Sequence, residues 1–360
     1  MIEQKLLKFH GQWQLDTWTL NIHSDRDLVQ VSAYHVYLEY FGINWELQDE
    51  DLFLQVFGNS LTMTLKLTDD GSQLVGTQNS NGKESELTFT KTNDTPILGA
   101  FRNLLELTFE ERRQKLKEFP DFADDGVKFE FKYDLNRRDL YADLITEFDL
   151  DIVASGLEDV DLMIALQKWT TEKFKHDGMS GMPEIRNAVT IVDYLREYPG
   201  INCRGHAILL AELLRLYGVK AQHITVHSSE DEHPVHVVTH AYSEKLQQWI
   251  MLDPTYNAVL TSQTGNFHNL LTLRRAFAND EPLFINEDAN YNDNKTTVDF
   301  YMEFMSSYLF RFSTNSEFPF DVKEADITAY MLYPVGFVNP EEFKFTTPTT
   351  SANVFFAKPE

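Results

Sequence analysis

The sequence predicts an α+β protein in which an antiparallel β meander or small barrel precedes helices packed on a second antiparallel sheet. Three patterns support this fold class. Before residue 95, short alternating or β-branched runs are separated by turn residues such as Asn81-Gly82. Between residues 159 and 217, apolar residues recur at helical spacing. Between residues 234 and 255, two β-rich segments flank the short turn 244–248, which is the pattern of a hairpin.

The N-terminal region contains about six predicted strands in regular succession. They cover residues 17–22, 29–40, 52–57, 61–67, 74–78 and 86–90. Gly11-Gln12-Trp13 precedes them and resembles the Gly-x-Trp opening of ligand-binding β-barrels. A tryptophan that closes one end of a small barrel is usually a core residue, so the motif by itself does not establish ligand binding.

Periodicity and composition divide the chain into four parts. Residues 1–95 form a β-rich accessory domain, 96–156 a helical connector, 157–315 the core that carries the candidate chemistry, and 316–360 an irregular C-terminal extension. Helices are predicted at 98–117, 137–147, 159–174, 187–196, 270–277 and 297–312, and a strand at 127–133. The extension contains Pro319, Pro334, Pro340 and Pro348 with scattered aromatics, which predicts irregular or short β structure.

The composition indicates an enzyme with more than one structural unit and excludes two classes of partner. The chain has 360 residues, 42% of them hydrophobic, which is enough for sizeable cores. Its net charge of −25 repels nucleic acid and anionic membrane surfaces. No secretory signal and no apolar window of about 18 residues is apparent. A single cysteine forms no internal disulfide, so we expect a cytoplasmic protein.

Cys203, the single cysteine, stands where a loop containing proline and glycine meets an apolar helical segment, residues 208–217. The first amides of a helix lack internal acceptors and its dipole is positive at that end, so a thiolate is stabilised there. Cys203 is therefore a candidate nucleophile. The alternative is an inert buried thiol, which is a common environment for a free cysteine.

The predicted hairpin supplies the other groups that thiol chemistry needs. His236 and His240 lie on its first strand, and Asp253 follows its second strand. An imidazole base and a carboxylate that orients it complete the arrangement for acyl transfer. Histidines four residues apart also suggest a metal site, but on a strand that step is about 13 Å, too long for one zinc ion. We therefore predict no metal.

Three blocks of sequence resemble the transglutaminase-like superfamily, which includes transglutaminases, peptide N-glycanases and bacterial thiol hydrolases. The segment from Pro199 to Ala207, PGINCRGHA, is similar to the start of the family's nucleophile helix. His240-Ala241-Tyr242 is similar to its His-Ala-aromatic strand, and Asp253-Pro254-Thr255 to its Asp-Pro-Thr end. The resemblance covers roughly residues 157–313 and implies a papain/transglutaminase-like core. It implies Cys203 as nucleophile, His240 as base and Asp253 as orienting acid.

The resemblance implies a thiol-dependent acyl-transfer enzyme of the bacterial cysteine protease or amidase type. Such an enzyme acts on an amide of a peptide or protein substrate through a thioester intermediate and needs no cofactor. With water as acceptor it is a peptide or amide hydrolase, which is the activity we expect. With an amine as acceptor it is a protein-glutamine amine transferase. A non-catalytic transglutaminase-like binding module is the alternative from another functional class.

Two features depart from crosslinking transglutaminases. The sequence contains no calcium loop of the Asp-x-Asp-x-Asp-Gly type, and no further β-domains follow the core. Calcium activation is therefore not expected. The sequence leaves the substrate and the oligomeric state open.

Overall fold

Two large sheets dominate the fold, one formed before residue 95 and one after residue 220. The structure, a computed structural model, describes residues 6–16, 18–25, 28–35, 38–40, 43–56, 61–80, 82–96, 107–124, 131–178, 180–198, 200–229, 235–337 and 346–359. Helices pack against the second sheet and few accompany the first. The predicted α+β class is therefore confirmed.

The N-terminal sheet is a nine-stranded antiparallel meander. Its strands are β1 (Gly11–Leu15), β2 (Trp18–Asp25), β3 (Leu28–His35), β4 (Leu38–Tyr40), β5 (Asn44–Gln48), β6 (Asp51–Val56), β7 (Leu61–Leu67), β8 (Gln73–Ser80) and β9 (Lys83–Asn93). Their order is β4-β3-β2-β1-β9-β8-β7-β6-β5, so the two edge strands are consecutive in sequence. The four Cα steps from Tyr40 to Asn44 span at most about 14 Å. The sheet must therefore curl until its edges approach each other.

Alternating apolar residues fill the inside of this curled sheet. In β7, Leu61, Met63 and Leu65 are buried while the residues between them are partly exposed. Trp13 is fully buried, and its indole N–H donates to the Phe9 carbonyl at 2.9 Å. The region is β-rich as predicted, but its described residues form nine strands where about six were expected. One predicted run, 29–40, forms both β3 and β4, and the short β1 and β5 were not recognised from the sequence.

The rest of the chain mixes helices and strands. The helices are α1 (Phe109–Glu118), α2 (Ala142–Glu147), α3 (Leu150–Val153), α4 (Asp159–Lys173), α5 (Ala188–Glu197), α6 (Cys203–Leu216), α7 (Leu270–Ala278), α8 (Val298–Met305) and α9 (Asn353–Phe356). The strands are β10 (Lys175–His176), β11 (Gly200–Ile201), β12 (Ala221–His227), β13 (His236–Ser243), β14 (Gln248–Leu252), β15 (Leu260–Ser262), β16 (Leu283–Ile285), β17 (Asn290–Tyr291), β18 (Asn294–Lys295), β19 (Arg311–Asn315), β20 (Ala329–Leu332) and β21 (Thr346–Thr349).

The second sheet carries the candidate site. Its strand order is β14-β13-β12-β19-β20-β21, antiparallel except for the parallel pair β20 and β21. Helix α6 packs on β12 and β13 and is buried from Gly205 to Leu216. The Thr239 hydroxyl of β13 donates to the Ala207 carbonyl of the helix at 2.9 Å. A buried helix is thus fixed against the sheet, which positions its first residue.

A short turn sets the direction in which β12 runs along α6. Residues 217–220 connect the two elements, and Gly218 adopts φ +83°, a left-handed conformation that favours glycine. With so short a connection, β12 must return alongside the helix. The 14 residues of α6 and the seven of β12 both extend over about 20 Å. The end of β12 and the start of β13 therefore lie level with Cys203.

Several predicted elements have different bounds in the structure. The pattern at 297–312 predicts one helix, but α8 ends at Met305 and Arg311 begins a strand. In that strand Phe312 is buried between partners on β12 and β20. The spacing of the apolar residues fits a strand as well as a helix, so the pattern did not distinguish the two. The connector helix predicted at 137–147 begins only at Ala142.

Three further predictions concern the connector and the C-terminal region. The predicted helix 98–117 lies partly outside the described residues, and its described part forms α1 from Phe109. Most of the predicted strand 127–133 also lies outside them. The region 316–360, predicted to be irregular or short β, contributes β20 and β21 to the second sheet.

Candidate active site

Cys203 is the first residue of α6, which confirms its predicted position at a helix N-terminus. Asn202 caps the helix, because its side-chain oxygen accepts from the Gly205 amide at 3.1 Å. The Asn202 amide nitrogen donates to the Ser180 carbonyl at 3.0 Å, so both ends of this side chain are bonded. The amides of Cys203 and Arg204 have no acceptor within the helix, and they stabilise negative charge at the sulfur.

The Cys203 thiol contacts the first residues of β13. Its Sγ forms a hydrogen bond with the His236 ring and accepts another from the Val237 amide. Burial by itself raises the pKa of the thiol, but the His236 hydrogen bond and charge, helped by the Arg204 guanidinium and the Val237 amide, lower that pKa overall. The site therefore favours the thiolate, which is the nucleophilic form of cysteine.

Asp253 holds His236 on the side away from the thiol. The aspartate is fully buried, and its Oδ2 accepts from His236 Nε2 at 2.8 Å and from the Tyr301 hydroxyl at 2.9 Å. Its Oδ1 accepts from the Thr255 amide at 3.0 Å. Because Nε2 bonds to Asp253, Nδ1 is the ring nitrogen that remains for Cys203. The three side chains form a chain of hydrogen bonds from sulfur to carboxylate.

His236 is held in its charged form. Burial lowers the pKa of His236, but the charge and hydrogen bond of Asp253, followed by those of Cys203, outweigh burial and raise the pKa to about 10. The lowered pKa of Cys203 and the raised pKa of His236 thus both favour the thiolate–imidazolium pair. The imidazolium is in the protonation state that a general acid requires.

His240, the base predicted from the sequence, lies elsewhere. It is fully buried, its Nε2 accepts from the Leu270 amide at 3.2 Å, and its ring stacks on Trp249. Burial lowers the pKa of His240 to about 3, so the ring stays neutral. The structure thus brings Cys203 and Asp253 to one site, as predicted, but with His236 between them. The position assigned to His240 is corrected to His236, and the catalytic roles of all three residues stay predictions.

The register of the hairpin does not choose between the two histidines. Thr239 pairs with Leu252, so Asp253 lies level with Val238, midway between His236 and His240. The deciding signal is the turn after α6, which runs β12 back along the helix. His236 pairs with Val226 near the end of β12, beside the start of the helix. His240 pairs near the beginning of β12, beside the helix C-terminus. In the sequence, the Gly218-Val219 turn was the signal that could have predicted this difference between the two histidines.

The same segment matches a known family. Residues 147–254 match the model of the Transglutaminase-like superfamily, and the match contains all three side chains of the hydrogen-bonded chain. This part of the protein is a transglutaminase-like core. Its nucleophile helix, hairpin and terminal aspartate are the elements on which the sequence resemblance rests.

Solved structures resemble the chain at low sequence identity. A protein of Cytophaga hutchinsonii provisionally described as a cysteine protease is 16% identical, with 76% of this chain and 83% of that chain covered and a TM-score of 0.27. The periplasmic domain of TgpA from Pseudomonas aeruginosa bound to ethylmercury is 13% identical, with 71% and 95% covered and a TM-score of 0.23. Red sea bream transglutaminase is 11% identical, with 79% and 57% covered and a TM-score of 0.26. Comparison with curated proteins gives no match.

Two further histidines lie beside the site in the transglutaminase-like core. The ring centroids of His176 and His206 are 5.8 Å apart, and His176 Nδ1 is 2.7 Å from the Tyr291 hydroxyl. Burial, together with the charges of His206 and His236, lowers the pKa of His176 well below its usual value, so the ring is neutral. Its Nε2 is buried and has no hydrogen-bond partner among the described residues. A neutral ring with an unused polar atom is therefore available next to the thiol.

His206, the second of these histidines, is a buried packing residue. Burial lowers the pKa of His206 to about 4, and its ring faces the carbonyls of Phe174 and Pro254. Within the described residues, no three histidine, cysteine, aspartate or glutamate side chains are arranged to hold a metal ion. In the same part of the chain, no helix is both long enough and apolar enough to span a membrane. The transglutaminase-like core thus has the components of a thiol-dependent enzyme.

Proposed function

We propose that the transglutaminase-like core catalyses acyl transfer from amide substrates to water, with Cys203 as nucleophile, His236 as acid–base group and Asp253 as its orienting partner. One observation carries the proposal: the His236 imidazole bonds both the Cys203 thiol and the buried Asp253 carboxylate. A nucleophile, a base and an orienting carboxylate in hydrogen-bonded succession are what amide acyl transfer requires.

In the first half of the reaction, the Cys203 thiolate attacks the amide carbonyl carbon and forms a C–S bond. The tetrahedral intermediate collapses, the C–N bond breaks, and His236 gives its proton to the departing amine. The enzyme is left as a thioester with a neutral imidazole. Asp253 and Tyr301 stay in place throughout, since they fix the ring orientation and do not exchange protons with the substrate.

In the second half, water attacks the thioester carbonyl while His236 takes the proton of that water. The C–S bond breaks, the carboxylic acid leaves, and the proton returns the site to its thiolate–imidazolium state. The rate should therefore fall with pH below the lowered pKa of Cys203, where the sulfur is protonated. It should also fall above about pH 10, where His236 loses its proton.

Two donors support the proposed stabilisation of the tetrahedral oxyanion. One is the Cys203 amide at the start of α6, which has no acceptor in the helix. The other is His176, which β10 holds beside the nucleophile loop by parallel pairing with Ile201. Burial raises the pKa of Tyr291, so its hydroxyl keeps its proton, and we propose the tautomer in which that hydroxyl donates to His176 Nδ1. That leaves the ring proton on Nε2, where it serves as a donor.

Water is favoured over an amine as the acceptor by the charge near the sulfur. The Arg204 guanidinium acts on Cys203, and a protonated amine such as a lysine side chain would be repelled by it. Water needs no dedicated anionic site. The charge arrangement therefore supports hydrolysis over amine transfer.

The test is the pH dependence of Cys203 alkylation by iodoacetamide in the parent protein, in His236→Gln and in the matched control His240→Gln. The parent should react with a midpoint well below the ~8.5 of a free thiol. His236→Gln should move the midpoint upward because it removes the imidazolium, whereas His240→Gln should leave it unchanged. Circular dichroism checks that each variant is folded.

The opposite pattern would contradict the proposal that this protein is an enzyme. A parent midpoint near ~8.5 that does not move in His236→Gln means an inert thiol on a transglutaminase-like scaffold. A midpoint that moves only in His240→Gln means that the other histidine is the partner. A burst of p-nitrophenolate from p-nitrophenyl acetate then measures acyl-enzyme formation directly in the active protein.

A further inference from the structure

A cleft lined by charged side chains opens one residue beyond the nucleophile. We call it the cationic cleft, and its volume is about 980 Å³. Strands β12 and β19 form its floor, and the start of α6 with segments 182–186 and 323–329 forms its walls. Its charged lining residues are Glu184, Arg186, Arg204, Lys323 and Glu324, and the neutral His223 ring lies among them.

The cationic cleft and the thiol share a wall. Arg204 follows Cys203 in the chain, and its guanidinium donates to the Thr225 hydroxyl at 3.1 Å. Thr225 pairs across the sheet with Val237, whose amide contacts the Cys203 sulfur. A peptide bound at Cys203 therefore has the cleft directly beside its scissile amide.

The cleft is positive although the chain as a whole carries a net charge of −25. The lining of the cleft contains three side chains that are always positively charged and two carboxylates. One carboxylate, Glu324, already accepts from Arg204 at 2.8 Å, from His223 at 3.3 Å and from Arg186. Burial raises the pKa of Glu324, but these three neighbours lower it well below its usual value.

The donors of the cleft outnumber its acceptors. Among the described residues, Arg186 Nε and His223 Nδ1 are buried without a hydrogen-bond partner. Lys323 pairs with Glu184 at the rim, where both side chains are largely exposed. Glu324 thus shows the chemistry that these side chains bind. Because the neutral His223 ring donates to Glu324 through Nε2, its Nδ1 is an acceptor, and Arg186 Nε is the unused donor that remains for a second carboxylate.

We propose that the cationic cleft binds a carboxylate of the peptide substrate next to the scissile amide, so that the enzyme selects acidic peptides. The inference rests on the proposed function, since it concerns the substrate of the same thiol. The carboxylate is supplied either by an acidic side chain or by the C-terminus of the peptide. Arg186 and Arg204 bind it, and Lys323 adds attraction at the entrance.

The first test compares two alkylating reagents at Cys203, anionic iodoacetate and neutral iodoacetamide. The ratio of their rate constants should exceed that of the neutral peptide acetyl-Gly-Cys-Gly-amide by about threefold or more. Arg186→Gln should lower the ratio, and Glu324→Gln should raise it, because each changes the charge of the cleft by one unit in opposite directions. The control Arg137→Gln, whose guanidinium pairs with two surface aspartates, should leave it unchanged.

The second test measures protection of Cys203 from iodoacetamide by short peptides. Acetyl-triglutamate-amide should protect at about threefold or more lower concentration than acetyl-triglutamine-amide, and trilysine should not protect. The same triglutamate with a free C-terminus shows whether the terminal carboxylate adds to binding. Arg186→Gln should abolish the difference between the glutamate and glutamine peptides.

The outcomes separate the two proposals. A reagent ratio that stays constant in both Arg186→Gln and Glu324→Gln, with equal protection by all peptides, overturns the cleft proposal and leaves a structural ion-pair cluster. That result would leave the lowered alkylation midpoint of Cys203 intact. A normal midpoint in the parent overturns the proposed function instead. For Glu324→Gln the proposal predicts an increase in the reagent ratio. The test can therefore still be decided if Arg186→Gln fails to fold.

Discussion

The two sheets of this molecule bury different kinds of side chain. Among the residues before 97 whose burial the structure describes, Asn21 is the one buried residue of the polar or charged types. The second sheet and its helices bury many, including His206, Glu212, Arg215, His223, His236, His240, Asp253, Arg274 and Arg311. Burying a polar group costs free energy unless a partner satisfies it. The described part of the N-terminal sheet is therefore held mainly by apolar packing, whereas the second sheet accepts buried charge where the candidate chemistry lies.

The largest effect should come from Asp253→Asn, which removes the fully buried charge at the end of β14. The amide keeps the shape of the carboxylate but no longer stabilises the His236 imidazolium. We expect acyl-enzyme formation to slow by about 10³–10⁴-fold. The initial burst of p-nitrophenolate measures it. A decrease of less than tenfold in the rate of acyl-enzyme formation would mean that the buried charge has a structural role only.

Trp13→Ala tests the other side of the comparison. The indole is fully buried in the N-terminal sheet, so its removal should cost about 3–5 kcal/mol of the free energy of unfolding. Urea unfolding measures this loss. The midpoint of Cys203 alkylation should stay where it is in the parent protein. A shifted midpoint would show that the N-terminal sheet participates in the thiol site.

His176→Phe should have a smaller effect, confined to catalysis. It removes the proposed Nε2 donor on β10, which pairs with β11 beside the start of α6, while a ring of similar size fills the space. The burst should slow by about 10²–10³-fold. Because His176 is neutral, the alkylation midpoint should not change. A shift of the midpoint without a slower burst would contradict a role in binding the oxyanion.

The smallest effects should come from two helix caps in the second region. Asn187 caps α5 and Asn202 caps α6, and replacing either by alanine should cost about 1 kcal/mol of the free energy of unfolding. Thermal unfolding measures both losses. Only Asn202→Ala should also raise the alkylation midpoint, since it loosens the helix turn at Cys203. Equal alkylation midpoints in the two variants would show that the Asn202 cap does not affect the reactivity of the thiol.

Local patterns predicted much of the fold because they act within a few residues. Alternation identified β7, and the apolar run after Cys203 identified α6. The aromatic residues at 297–312 led to the wrong prediction of a single helix, because their spacing fits a helix and a strand equally well. Only pairing with β12 selects the strand. The short edge strands of the N-terminal sheet likewise depend on neighbours that lie far away in the sequence.

The sequence by itself determined that a thiol stands at a helix N-terminus, with histidines and an aspartate on a hairpin nearby, since caps, turns and periodicity are local. The tertiary structure decided which histidine meets the thiol, since the sequence signal for it, the Gly218-Val219 turn, acts only through the packing of β12 along α6. The hairpin register leaves His236 and His240 equivalent about Asp253, and their distinction depends on which end of β13 lies beside the start of α6. The cationic cleft also comes from packing alone, because Arg186, Arg204 and Glu324 converge from three separate segments.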